Sequence, residues 1–363
     1  MNFGFSFLDF GLGRTIRKAF FPDRISFREQ SKIQIPKWVA LLLIAVVLVV
    51  CGAVADAQQA GKLPRIGFLD NSTASGSADR LEAFRQELRK LGWIEGKNIA
   101  IEYQFSEQKP ERLPELAADL VHRKVDLIVV TSNPSALAAK SATAIVPIVM
   151  TTSTDPVGVG LVASLALPGG NVTGNSSLSV ELNTKRLEIL KDSVPKLAQV
   201  GLLRWPGTNI TADLQLKELR AAARALKIKL QEIEMQPDPK GLESAFQTAK
   251  QKQVDTIMTT PDSRFLDERK RIIELAGKYR LPAIYPQKEF VEAGGLMSYG
   301  TESTDLYRRA AVYVDKILKG AKPADLPVQQ ATKFEFIINL KAAKQIGLTI
   351  PNRVLERANK VIK

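Results

Sequence analysis

The middle of the chain is written twice. One pass opens on Arg65-Ile66-Gly67-Phe68-Leu69 and arrives at Val125-Asp126-Leu127-Ile128-Val129-Val130-Thr131. The next opens on Gln199-Val200-Gly201-Leu202-Leu203 and arrives at Val254-Asp255-Thr256-Ile257-Met258-Thr259-Thr260. Each then reaches a short apolar run headed by proline, Pro147-Ile148-Val149-Met150 and Pro282-Ala283-Ile284-Tyr285. These landmarks recur about 130 residues apart, too long a period for a solenoid and close to the size of a small domain. Two similar lobes in one chain place the expected site between them.

From Lys62 onward, β-branched runs alternate with amphipathic stretches, which marks βαβ units and parallel sheets and so the α/β class. The first pass predicts strands at 65–69, 99–105, 125–130 and 147–151, with helices at 78–91, 111–123 and 134–141. In the first of these helices Leu81, Phe84, Leu88 and Leu91 share one face. Residues 171–176 read as a crossing into the second lobe. There helices at 181–192, 211–226, 240–252 and 264–279 alternate with strands at 199–203, 228–235, 255–259 and 283–285. A return crossing is expected at 294–300, a helix back on the first lobe at 305–318, and a tail from Lys333 that closes the second. The first lobe is then 62–177 plus 297–327, and the second 178–296 plus 328–363.

Residues 1–57 read as a leader. Its apolar run, 38–55, follows Lys37 and ends in Ala53-Val54-Ala55 and Ala55-Asp56-Ala57, both acceptable to a signal peptidase. An uncleaved anchor is the alternative, since about 18 apolar residues just span a bilayer. Cys51 is the one cysteine. Cleavage near residue 57 removes it, and with it any disulfide, thiolate nucleophile or cysteine metal site. The net charge of +13 comes from Lys and Arg spread singly along helices, without the clustering and interleaved aromatics of a nucleic-acid surface.

Most chemical motifs fail on inspection. Gly158-Val159-Gly160 and its flanks imitate a dinucleotide fingerprint, but they follow the fourth strand and Asp155 sits where pyrophosphate would lie. The sole histidine, His122, lies beside Arg123 and Lys124 on a helix, which leaves nothing to build a Ser-His-Asp triad or a histidine zinc site. No catalytic residue, metal or cofactor is expected. What remains are polar loops at the carboxyl ends of strands, where open α/β sheets bind ligands. In the first lobe they hold Asn71, Ser72, Thr131, Ser132, Asn133, Ser135, Thr154 and Asp155. In the second they hold Thr260, Asp262, Ser263 and Tyr285. The repeat makes Thr131 equivalent to Thr260 and Asn133 to Asp262. Free amides at the helix that begins near Ser132 suit a carboxylate, and Asp262 opposite suits an ammonium group. A zwitterion bridging the two would hold the lobes shut. Helix capping alone also accounts for Asn133, Asp155 and Asp262.

Further segments carry a family resemblance. They are Phe84-Arg-Gln-Glu-Leu-Arg-Lys-Leu-Gly-Trp-Ile-Glu-Gly-Lys-Asn98, Arg112-Leu-Pro-Glu-Leu-Ala-Ala118, Asp155-Pro-Val-Gly-Val-Gly-Leu-Val162 and Pro168-Gly-Gly-Asn-Val-Thr-Gly174. Phe290-Val-Glu-Ala-Gly-Gly-Leu-Met-Ser-Tyr-Gly300 and Ile317-Leu-Lys-Gly-Ala-Lys-Pro-Ala-Asp-Leu-Pro327 complete the set. From Arg65 to its end the chain resembles the ABC-transporter substrate-binding proteins whose better-characterised members bind aromatic amino acids. The resemblance implies a type I periplasmic-binding-protein fold, with two Rossmann-like lobes, three crossings and a ligand in the cleft. It also implies that the loop 131–135 and Asp262 meet the ligand's backbone groups. The loop Thr260-Pro-Asp-Ser-Arg264 differs from those relatives in placing Ser263 and Arg264 after the acid.

The expectation is a non-enzymatic solute receptor, exported to the periplasm, monomeric, passing a small polar or zwitterionic ligand to an ABC permease at the inner membrane. A membrane-tethered sensor built on the same clamp, and an α/β enzyme using carboxylates in the cleft, are the alternatives.

Overall fold

Two sheets divide the chain in the computed structural model, which describes residues 63–206, 210–236, 238 and 240–363. The leader and its apolar run lie outside the described residues. The first lobe runs β1 (Arg65–Asp70), α1 (Ala78–Lys90), β2 (Ala100–Phe105), α2 (Leu113–His122), β3 (Leu127–Val130), α3 (Asn133–Ala142), β4 (Ile148–Met150) and β5 (Val172–Ser176). The second continues with α4 (Ser179–Ser193), β6 (Gln199–Arg204), α5 (Ile210–Ala225), β7 (Lys229–Glu234), α6 (Gly241–Gln251), β8 (Thr256–Thr259), α7 (Ser263–Asp267), α8 (Arg269–Lys278), β9 (Ala283–Tyr285), α9 (Lys288–Glu292) and β10 (Met297–Thr301). Then come α10 (Ser303–Leu318), β11 (Gln329–Gln330), β12 (Phe334–Asn339), α11 (Leu340–Ile346), α12 (Asn352–Leu355) and β13 (Lys360–Ile362).

The repeat is structural. The sheets run β11-β5-β4-β3-β1-β2 and β13-β12-β10-β9-β8-β6-β7, so each contains the same doubly wound order of its first five strands. Gly67 pairs with Ile128 in one sheet and Gly201 with Ile257 in the other. Both glycines let a neighbour pack close: a Cβ would stand 3.0 Å from Leu120 at the first, and 3.0 Å from Ile233 and Ile257 at the second. The repeated aspartates do the same job. Asp126 Oδ2 accepts from the Arg65 amide at 2.7 Å, and Asp255 Oδ2 from the Gln199 amide at 2.7 Å, each fixing the start of its lobe's first strand.

Burial follows the amphipathic pattern. Leu81, Phe84 and Leu88 of α1 are buried against Ile66, Phe68 and Val129, with Tyr307, Ala310 and Val314 of α10 in the same cluster. At about 25 cal/mol per Å² of apolar surface, each such large side chain stabilises by about 1.5–3 kcal/mol.

The crossings differ from the sequence reading. Residues Val172–Ser176 are a buried strand of the first sheet, paired with β4 and β11. Met297–Thr301 lies in the second sheet between β9 and β12, antiparallel to β12. The second-lobe share therefore runs past 297 to Thr301, and β11, at 329–330, belongs to the first sheet. The crossings lie side by side: the Ala331 amide donates to Ser176 O at 2.8 Å, and the Glu302 amide to Lys333 O at 3.2 Å. The helix expected over 264–279 is broken at Glu268 into α7 and α8.

Candidate functional site

The carboxyl ends of both sheets face one chamber of about 210 Å³. Of the sequence-predicted residues, Asn71, Thr131, Ser132, Asn133, Thr154, Thr260 and Asp262 line it. Ser72, Ser135, Asp155 and Tyr285 are not on its wall, and the Ser263 side chain lies outside what is described. Ser135 turns back into its own loop: its Oγ accepts from the amides of Thr131 and Ser132 at 3.2 and 3.0 Å. Asp155 closes a turn by accepting from the Gly158 amide at 2.9 Å. Tyr285 is buried in the second lobe's core, stacked on Phe290 with ring centroids 4.3 Å apart, and burial pushes its hydroxyl pKa up.

The first-lobe wall is organised by Asp70 and Asn133. Asp70, 3% exposed, accepts from the Ser72 amide, from Thr131 Oγ1 at 2.8 Å and from Ser77 Oγ. Asn133 uses both ends of its amide. Its Oδ1 accepts from Ser153 Oγ at 2.7 Å and from the Thr154 amide at 3.0 Å. Its Nδ2 donates to Thr154 O at 2.7 Å and, across the cleft, to Thr211 Oγ1 at 2.9 Å. The helix-capping residue of α3 is Ser132, in a reciprocal capping box with Ser135. The amides of Thr131, Ser132 and Ser135, expected to be open to a carboxylate, are thus bonded within the loop.

Asp262 also has partners of its own. Its side chain caps α7 by accepting from the Arg264 amide, and its two oxygens take Arg264 Nε at 3.0 Å and Nη2 at 2.7 Å. The guanidinium of Arg264 lies 5.0 Å over the Trp205 ring. Asp262 is therefore a neutralised wall group, unlike the open ammonium acceptor expected of it. A second cavity of about 340 Å³ lies beyond it, sharing Asp262 and Arg264 and lined also by Leu216, Trp205 and Phe265.

Sequence reasoning missed Arg80, Arg186, Gln215 and Tyr307, all on the chamber wall. Tyr307 is buried, and desolvation pushes its hydroxyl up to about 12. Nothing local marked these residues, since each sits within an ordinary amphipathic helix.

Further contacts hold the lobes together. Gln108 Nε2 donates to Asp267 Oδ2 at 2.7 Å, and Ser72 Oγ approaches the same oxygen at 3.5 Å. Gly76 makes the approach possible, because a Cβ there would stand 2.4 Å from Asp267 Oδ1. Burial raises the Asp267 pKa, and Asp70 raises it further against the opposing pull of Arg80, Arg269 and the Ser72 hydrogen bond. Its ionised form is thus penalised in this arrangement, and an opening that exposed the carboxyl would relieve the penalty. Closing takes up a proton, so closure is favoured as pH falls through the raised pKa and opposed above it. The ligand-free radius of gyration is expected to shrink as pH falls through that raised pKa, and Asp267→Asn to abolish the shift. A pH-independent radius in the parent protein would contradict this role.

Two lobes, a polar chamber walled by both, and direct bonds across the gap define a clamp receptor for a small solute. The sequence model described as ABC transporter substrate binding protein matches residues 75–362, and the chain belongs to that family. Proteins of this family bind a small ligand, work with an ABC transporter and act outside the cytoplasm. The chain is 29% identical over 273 residues to a tyrosine-binding protein of Clostridioides difficile, covering 74% of this chain and 76% of that protein. A structure from Streptococcus pneumonia in complex with L-Trp is 28% identical, covers 83% of this chain and 100% of its own, and has a TM-score of 0.75. A ligand-free, open substrate binding protein from Clostridium difficile is 26% identical over 83% of this chain and 99% of its own, with a TM-score of 0.60. The fold is that of the type I periplasmic binding proteins.

Proposed function

We propose that the chain captures an amino acid with a bulky side chain in the periplasm and delivers it, as a monomer, to an ABC permease of the inner membrane. The observation that carries this reading is the pairing of a polar chamber with a neighbouring cavity. The chamber of about 210 Å³ suits a charged head group. The cavity behind the Asp262–Arg264 pair, walled by Trp205, Phe265 and Leu216, suits an apolar or aromatic side chain. The Trp205 indole N–H is buried there without a partner, so a side chain carrying a hydroxyl has a donor to meet. Relatives that bind tyrosine and tryptophan support the same class.

The closed arrangement supports capture by clamping. At similar identity and coverage the shape is nearer the L-Trp complex than the open, ligand-free relative. A solute touching both lobes binds the closed state better and shifts the population toward it. Release then leaves the solute chemically unchanged.

The test is isothermal titration with the natural amino acids and a set of neutral sugars, with small-angle scattering on the same samples. Saturable binding of an aromatic amino acid with a smaller radius of gyration is expected. Tight binding of a sugar, with no response to any amino acid, would remove the reading.

A further inference from the structure

We propose that Arg186 is the anchor for the ligand's carboxylate, so that the receptor selects an ionised acid; the assignment rests on the amino-acid reading above. Arg186 lies on α4, is 1% exposed and lines the chamber. Its Nε donates to the Tyr299 carbonyl at 2.7 Å and its Nη1 donates to Asn183 Oδ1, both neutral acceptors. No carboxylate pairs with it among the described residues, and burial pushes its pKa down with only Tyr299 opposing.

The neighbouring arginines show how unusual this is. Arg264 is paired bidentately with Asp262, and Arg204 with Glu232. Arg80 shares the same chamber; burial opposes its charge, yet the fields of Tyr307, Asp70, Glu289 and Asp267 hold its pKa up. Arg186 alone of these is a buried cation without an acid. An unpaired buried charge opposes folding unless something compensates it. The compensation is a guest anion, because the planar fork of a guanidinium matches a carboxylate with two parallel N–H bonds.

The surrounding orphans fit the rest of the guest. Asn183, whose Oδ1 takes the guanidinium, leaves its own Nδ2 buried without an acceptor. Gln215 Oε1 and Gln287 Oε1 are buried without donors on the chamber wall, and suit an ammonium group. This arrangement departs from the sequence expectation: the acid goes to α4 and away from the loop 131–135, where the amides of Thr131, Ser132 and Ser135 are already bonded.

The experiment titrates the full chain with L-tryptophan, its carboxamide, and 3-(indol-3-yl)propionate, which lacks the amine. The carboxamide is expected to bind about 100-fold more weakly than the acid, as loss of a buried charge pair requires. Arg186→Gln should bring acid and carboxamide within about threefold of one another, and Arg186→Lys should restore part of the preference. A carboxamide that binds the parent protein as tightly as the acid overturns the assignment, even if Arg186→Gln fails to fold. Equal binding of the propionate and tryptophan removes the amino-acid reading and leaves Arg186 standing. If none of the three binds, native mass spectrometry of the solute carried through purification decides: an ionised acid supports Arg186, and a neutral compound overturns it.

Discussion

Asn133→Ala is expected to lower the unfolding free energy by about 2–4 kcal/mol and to weaken solute capture at least about tenfold. The size follows from what alanine leaves behind. Asn133 accepts from Ser153 Oγ and the Thr154 amide and donates to Thr154 O and Thr211 Oγ1. Ser153 and Thr154 are themselves buried, so water does not readily replace the lost partner. Stability falls because the loop after β4 loses its tether. Affinity falls because the bond to Thr211 is one of the few that span the cleft. Differential scanning calorimetry and titration of the same variant separate the two losses. Asn133→Asp keeps the acceptor and loses the donor, so it should spare part of the stability and still weaken closure. An Asn133→Ala protein that melts with the parent would show that these bonds carry no weight.

Gly300→Ala should be the most damaging small substitution in the second lobe, costing more than about 3 kcal/mol. A Cβ at position 300 would stand 1.8 Å from the Pro286 carbonyl oxygen and 3.0 Å from its carbon. Both are backbone atoms, with no rotamer to move them aside. The only escape is to part β10 from the segment that follows β9. That segment supplies Pro286 and Gln287 to the chamber, and β10 supplies Thr301. Misfolding or a loss of solute binding is therefore expected together with the fall in melting temperature. Gly277→Ala is the matched control. It lies in α8 with nothing within 4 Å of the new methyl group, so helix propensity should make it neutral or stabilising by up to about 1 kcal/mol. Equal melting of the two variants would refute the steric argument.

Much of the fold was legible because repetition and periodicity are local signals. Gly67 and Gly201, and Asp126 and Asp255, mark the same places in two sheets before any coordinate is known. The segment Val172–Ser176 was not legible as a strand, because its composition is that of a loop. It is buried through tertiary bonds: Asn175 Nδ2 donates to Thr151 O and to Leu306 O, far along the chain. Met297–Thr301 hid behind its glycine, since Gly300 marks a close backbone approach as readily as a turn.

The site was half legible. Polar residues after strands are visible in sequence, and most of those expected line the chamber. What sequence cannot display is which of them are already occupied. Asp262 looks free until Arg264, two residues on, folds back over it. Arg186 looks like one more surface cation among 51 basic residues, until packing turns its helix face inward and leaves it without a partner.

The three crossings have a mechanical consequence. They run as neighbouring lengths of backbone, bonded to one another at Ser176 with Ala331 and at Glu302 with Lys333. Such a strip bends readily about one axis and resists twisting about any other. An oversized guest must then prop the jaws apart by an angle, leaving their alignment intact. A transporter docking across both lobes would then read a single angle, on which full, partial and failed occupancy differ.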